Sequence, residues 1–305
     1  MTRLPQIGWL ADGRRLHLQD GPIDLIVEAH GAPAKLRVAY EAAIQRFTGL
    51  LDELCEELPE LRKAAQPDAY SLKGVVARRM HNAVVPFAAD HFITSMAAVA
   101  GAVAEEILAA MVSATDLDRA YVNNGGDIAL HLGAGQTFTV GLVDRPDMPS
   151  LIGKTAIAAN DTTRGVATSG WRGRSFSLGI ADAVTVLART AAQADAAATI
   201  IANAVDLPEH PAVVRCPARD IQPDSDLGAR MVTRSVGTLP YIDILDAIES
   251  GAACARRLIA AGLINGAALH LQGETRVVAL KTIPQESNRS PLGPVNTRAE
   301  SLMHA

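Results

Sequence analysis

Two runs of small residues set between strand-like segments limit what this chain can build. The first is AYVNNGGDIALHL, residues 120–132. The second, residues 165–205, is GVATSGWRGRSFSLGIADAVTVLARTAAQADAAATIIANAV. Each joins apolar or β-branched residues to a turn bearing Asp, Asn, Ser or Thr. Glycine tolerates positive φ and close backbone approach, so such turns can wrap N–H groups around a ligand. One alone reads as an ordinary tight turn. Two within residues 120–199, amid few charges, predict a binding crevice.

The rest of the chain must enclose that crevice with little aromatic material. Aromatics are 4% of the 305 residues, against 49% hydrophobic overall, so the core rests on Ala, Val, Leu and Ile. Such side chains favour close helix–helix and helix–sheet contacts. The formal charge of −5 weighs against a general nucleic-acid binder, which needs a concentrated basic surface. Arg164, Arg172 and Arg174 would still suit one phosphorylated small molecule. Cys55, Cys216 and Cys254 form no CxxC pair and read as free thiols in a reducing compartment. The N-terminus, MTRLPQIGWLADGRRLHLQDG, has charges where a signal peptide needs its apolar core. The apolar segments look interrupted by acidic or glycine residues before membrane-spanning length. A soluble, cytoplasmic protein with no membrane partner is expected.

Residues 14–19 and 23–28 flank Asp20-Gly21-Pro22 and predict an opening hairpin. Residues 35–61 carry one long helical pattern, with Tyr40, Phe47, Leu51 and Leu58 on its apolar side. Residues 75–83 fit a strand or a short helix. Residues 92–111 predict a buried helix whose N-terminus at 94–98 offers free N–H donors to an anion, with Glu105 and Glu106 nearer solvent. Strands are expected at 118–132 around the glycine turn, and at 138–142, 154–160, 166–168 and 183–188. Residues 190–205 and 241–261 read as helices, the latter stopped by Gly262. Between them lie an ordered surface excursion, 207–226, and a strand, 231–236. Residues 267–271 and 276–280 predict a closing hairpin.

Asn123, Asn124 and Asp127 flank Gly125 and Gly126. The amides can donate and accept toward a planar heterocycle, a ribose or a phosphate, which the glycines admit against backbone. Asp127 reads equally as a ligand for a ribose hydroxyl or cation and as an Asx cap of the turn. Thr168, Ser169 and Gly170 place two hydroxyls beside a pliant backbone position, which fits phosphate oxygens with Arg172 or Arg174 as charge-assisted partners. No base adjoins Ser169, which argues against it as a nucleophile. Asp195 and Thr199, at i and i+4 on one helix, face one way and suit a hard cation such as Mg²⁺. The alternative for Asp195 is a helix cap. Asp182 offers a further carboxylate from a separate loop.

NNGGD, then ATSG, then VTVLARTAAQADAAAT resembles the ApbE-like superfamily of flavin transferases and flavin-trafficking proteins, and more closely its cytoplasmic UPF0280 branch. The opening DGRRLHLQDGPIDLIVEA and the run to IANAVDLPEHPAVVR extend the resemblance over most of the chain. It implies an α+β fold, a duplicated, intertwined α/β architecture with antiparallel sheets and packed helices. It also implies one domain over residues 1–283, with two pseudo-repeated halves; the tail, 284–305, with its Gly, Asn, Ser and Pro, reads as loosely ordered. By resemblance, Asn124 to Asp127 match the family's glycine-rich turn, Thr168 to Gly170 its TSG turn, and Asp195 and Thr199 the groups near its metal. FAD or FMN and Mg²⁺ are the implied cofactors, with a protein or small-molecule acceptor; homo-oligomerisation is compatible with this.

Two departures weigh against FMN transfer while sparing the crevice. The His-Ile-Ile-Asp-Pro type segment is replaced by SFSLGIADAVTV, leaving Asp182 in its place. The family's central lysine is absent from SMAAVAGAVAEE. Asp127 and Asp182 are the remaining candidates for a general base. The expectation is a flavin-nucleotide binder with Mg-dependent transfer as one outcome. The alternatives are a noncatalytic cofactor carrier and an enzyme of pterin-type cofactor metabolism.

Overall fold

The computed structural model describes residues 4–67, 72–145 and 147–279, with short strands at 282–283 and 303–304. Asp20-Gly21-Pro22 makes the expected hairpin, joining β2 (Leu16–Asp20) to β3 (Ile23–His30). An exposed edge strand, β1 (Gln6–Trp9), precedes them; all four of its residues are exposed, the alternating Ile7 and Trp9 included, so it presents no buried face. The predicted long helix is two. In α1 (Pro33–Phe47) and α2 (Leu50–Leu61) the apolar pattern continues across a break at Gly49, whose φ of +85° is closed to most other residues. The ambiguous stretch is helix α3 (Val75–Val84).

A 3₁₀ turn, Ser95–Ala98, leads into α4 (Val99–Ala114). Contrary to expectation, the run Ser95–Ala114 is long and apolar enough to cross a membrane by composition, with mean hydropathy 1.6. It is the one such helix among the described residues, and it packs against α1 and the central strands. Glu105 and Glu106 are not solvated either: Arg79 contacts both, at 3.1 and 2.9 Å, and Arg46 contacts Glu106 at 2.7 Å.

Next come β4 (Arg119–Asn124), β5 (Asp127–Leu132), β6 (Thr137–Val143), β7 (Leu151–Ala158), β8 (Gly165–Ser169) and β9 (Ala183–Ala188). Gly125 and Gly126, with φ of +66° and +113°, turn β4 back into β5 within two residues. Helix α5 (Ala191–Ala204), capped by Thr190, follows. The surface excursion holds β10 (Val213–Pro217) and one helical turn, α6 (Ala218–Ile221), and β11 (Met231–Val236) pairs back on β10. The chain continues through α7 (Tyr241–Ala260) to the closing hairpin, β12 (Gly266–Leu271) and β13 (Glu274–Val278). Leu280 and most of the expected tail lie outside the described residues. Just before that tail, β14 (Thr282–Ile283) pairs with β7, and within it β15 (Met303–His304) pairs in parallel with β6.

The fold is mixed α/β in three layers. A nine-stranded antiparallel sheet, β1-β2-β3-β4-β5-β8-β9-β12-β13, forms the middle. Helices cover one face, and β6–β7 cover part of the other with Phe138, Val140 and Ile157. The helical layer sits unusually close. A β-carbon at Gly165 would overlap the Thr190 carbonyl group, and one at Gly101 the carbonyl of Ala191. Bare backbone lets α5 touch both the sheet and α4.

Candidate cofactor site

Alternation along the strands decides which candidate residues meet. Val122 and Ala129 belong to the helix-side core, whereas Tyr121, Ile128 and Leu130 belong to the core under β6–β7. With a period of two, Asn124 and Asp127 point to the helix side. Ala167 faces that side too and Val166 the other, which puts Ser169 with Asp127 and Thr168 opposite. The hydrogen bonds agree. Asn124 Nδ2 donates to the Ala100 carbonyl at 3.2 Å, while the hydroxyls of Thr168 and Thr185 are hydrogen-bonded to each other at 2.8 Å. Asn123 Oδ1 accepts the Gly126 N–H at 2.8 Å. The turn is thus held by Asn123, and Asp127 is not its Asx cap.

Asp127 Oδ1 instead accepts the Thr168 N–H at 3.3 Å, tying the glycine turn to the TSG strand. Asp195 reaches across from α5 to the start of α4. Its Oδ2 accepts the Gly101 N–H at 3.0 Å, and the neighbouring Ala100 N–H also favours its ionised form. The helix N-terminus expected to be free for an anion therefore begins at Val99, not at 94–98, and a protein carboxylate fills it. The favour is returned: Glu105 Oε1 on α4 accepts the Ala192 N–H, in the first turn of α5, at 2.7 Å. Each helix caps the other.

Asp127 and Asp195 both sit deep among protein atoms yet keep some exposure, the condition of residues lining a recess. Burial lifts Asp127 to about 7, outweighing the Thr168 N–H and the charge of Arg174. Asp195 is raised as well, by burial first and by Asp127 second, against the two N–H donors. Two carboxylates so placed cannot both ionise cheaply near neutral pH. Arg174, exposed, lies over the turn: a β-carbon at Gly125 would overlap its Nη2. Thr199 is half-buried one turn beyond Asp195.

Four predicted residues stand apart. Asp182 is buried, and its oxygens accept from Arg172 Nε at 2.6 Å, Trp171 Nε1 at 3.1 Å and the Gln272 N–H at 2.7 Å. That leaves it no freedom to act as a base. Arg172 spends its charge there and stacks on Trp171 at 4.3 Å. Arg164 donates to the carbonyls of Ala159, Asp161 and Thr163. Gly170 serves packing, since a β-carbon there would meet the Asp182 carbonyl oxygen. The residues that sequence did not single out are Ala100 and Gly101, whose backbone joins the site; only the glycine hinted at a close approach.

Among the described residues no group of three or more His, Cys, Asp or Glu is placed to hold a metal ion. Asp127 and Asp195, with Thr199 one helical turn beyond Asp195, offer oxygen alone, which would suit a hard cation completed by water or phosphate and not zinc.

Antiparallel strands, buried helices and paired carboxylates beside a glycine turn make a mixed α/β protein with a candidate small-molecule site. The chain belongs to the family whose model, described as AbpE bacteria, matches residues 7–277, and with it to the UPF0280 branch of the ApbE-like superfamily. A UPF0280 protein of Methanopyrus kandleri is 40% identical over 163 residues, 53% of this chain and 62% of that protein. One of Methanothrix thermoacetophila is 43% identical over 113 residues, 36% and 45% of the two chains. The matches thus span less than two thirds of these relatives' length. Among solved structures, the apo flavinyl transferase ApbE of Pseudomonas stutzeri is 12% identical with a TM-score of 0.44, covering 90% of this chain and 95% of that one. The ApbE protein of Thermotoga maritima is 12% identical with a TM-score of 0.46, covering 90% and 96%.

Proposed function

We propose that the recess binds a flavin nucleotide, or a similar phosphorylated heterocyclic cofactor, together with a divalent cation. The observation that carries this reading is the Asp127–Asp195 pair beside the Gly125–Gly126 turn. Two carboxylates would repel a phosphate, and a hard cation placed between them removes the repulsion. Asp195, Thr199 and Asp127 would hold that cation, and Mg²⁺ fits their oxygen chemistry; when bound it would neutralise phosphate charge. Arg174, carrying an exposed guanidinium over the turn, would meet phosphate oxygens. Asn124 and the glycine backbone would face the ring or ribose. Family membership supports a flavin-related role. The order hairpin, helices, hairpin, which occurs at β2 to β5 and again at β8 to β13 with the β10–β11 pair inserted among the helices, supports two pseudo-repeated halves meeting here.

Nucleotide transfer to an acceptor hydroxyl is the second reading. One property favours it: a carboxyl near 7 can take or release a proton at neutral pH. In that reading Asp195 and Thr199 alone would hold the cation and Asp127 would be the base, because Asp182 has its oxygens engaged.

Calorimetry with FAD, FMN and a reduced pterin, each with and without Mg²⁺, tests the assignment. Mg²⁺-dependent flavin binding is expected. It should weaken about tenfold or more in Asp195→Asn, which keeps an oxygen for the N–H groups of α4. Binding of neither flavin overturns the cofactor assignment, and binding indifferent to Mg²⁺ overturns the cation. Incubating the FAD complex with threonine-bearing acceptor peptides then separates the readings: labelled peptide marks transfer, and intact FAD throughout marks a carrier.

A further inference from the structure

A second recess, of about 560 Å³, opens between the β1–β2 turn, the end of β3 and α1. It lies at the far end of the β3–β4 pair from the cofactor site. Leu25 pairs with Asn124 at one end, Ala29 and His30 with Ala120 and Arg119 at the other, a separation of roughly 15 Å at the strand rise. The two recesses share no residue named above, and the inference does not rest on the proposed function.

The recess exists because β2 stops pairing at Val27, leaving the last residues of β3 without a strand on that side. The Ala29 N–H donates instead to Tyr40 Oη at 3.0 Å, and that hydroxyl donates to the Arg14 carbonyl at 2.8 Å. With its hydroxyl engaged both ways, Tyr40 offers the cavity its ring. Trp9 meets that ring edge-on, centroids 4.8 Å apart at 79°, and is 54% exposed. Leu36 adds to the apolar wall. Deep in the recess, Glu28 is committed to the protein: its Oε2 accepts from Tyr121 Oη at 2.9 Å and its Oε1 lies 3.2 Å from His30 Nε2.

Positive charge at the rim is less committed. Arg15 pairs with Asp12, but Arg14, beside it and lining the recess, has no ion-pair partner among the described residues. Arg37, also lining it, comes only within 3.9 Å of Glu41, with both side chains largely exposed. An open indole, a tyrosine ring and two available guanidinium groups around a cavity of ordinary ligand size form a recognisable combination.

We propose that this recess binds a flat, ring-bearing organic anion, its ring against Trp9 and Tyr40 and its carboxylate or phosphate between Arg14 and Arg37. Anthranilate and phenyl phosphate are the probes, with aniline as the control lacking an anionic group. Binding is followed by the Trp9 indole resonance in ¹H–¹⁵N spectra, assigned against Trp9→Phe. Saturable shifts with at least one anion are expected, and the tighter of the two shows whether carboxylate or phosphate is preferred. The double variant Arg14→Gln/Arg37→Gln, its fold checked by its amide spectrum, should bind about tenfold or more weakly. Asp127→Asn should leave binding unchanged. The proposal is overturned if neither anion moves the Trp9 resonance at millimolar concentration, or if aniline binds as well. It also falls if the double variant binds undiminished, or if Asp127→Asn abolishes the shifts and so places the probe in the other recess.

Discussion

At Asp127 a carboxyl sits among protein atoms with the Thr168 N–H and the more distant Arg174 charge to offset lost hydration. Its folded value of about 7 stands well above the ordinary 3.8. Between those values the folded protein keeps a proton that the unfolded chain has released. Stability from this group therefore falls as pH rises through that window and levels off above it. Asp127→Asn cannot ionise and retains an oxygen for Thr168. It should be more stable than the wild-type protein at pH 8, by about 1–2 kcal/mol after allowance for screening, and the gain should vanish near pH 4. Urea unfolding at pH 4, 6 and 8 measures this; a less stable variant at pH 8 contradicts it. The turn around Asp127 was legible in sequence because hairpin chemistry is local, and Asn-Asn-Gly-Gly needs nothing distant to declare itself. The partner of Asp195 was not. Spacing of i and i+4 speaks of neighbours on one helix, whereas Asp195 bonds a backbone 94 positions away. Asp182 misled for the same reason, since Gln272 and the Arg172–Trp171 stack reach it only through the fold.

The contact between α4 and α5 depends on a missing side chain. Gly101→Ala adds the residue with the best helix propensity, worth about 1 kcal/mol over glycine, yet its β-carbon would overlap the Ala191 carbonyl. Overpacking should win, for a net loss of about 1–2 kcal/mol. Thermal unfolding of the variant tests this, and unchanged or raised stability would mean that the helices can part without cost. Element types were readable where periodicity was unambiguous, as in β9, whose bounds Ala183–Ala188 match the expectation. The break between α1 and α2 was hidden because Phe47, Leu50, Leu51 and Leu54 serve the same core on both sides of Gly49. An apolar stripe records which face is buried, and is silent about a change of direction that keeps the face.

Across the molecule, cover is uneven. Strands β4, β5, β8 and β9 carry buried residues on both faces, whereas β10 and β11 pair only with each other. Hydrogen exchange should therefore be slowest in β9 and its neighbours and about 100-fold or more faster in β10–β11; peptide-resolved mass spectrometry reads the order, and a reversal contradicts the layering. Hairpins and helices were foreseeable, but not the departure of β6–β7 into a separate sheet, because alternation specifies two faces and not which layer covers them. The crossed caps tie this architecture to the recess. Any ion or ligand that draws the oxygens of Asp195 to itself takes an acceptor from the first turn of α4, a helix of 16 residues, while Glu105 of that helix still anchors α5. Occupancy and helix fraying then draw on one carboxylate, so the grip of the recess is set against the winding of a helix that need not touch the ligand.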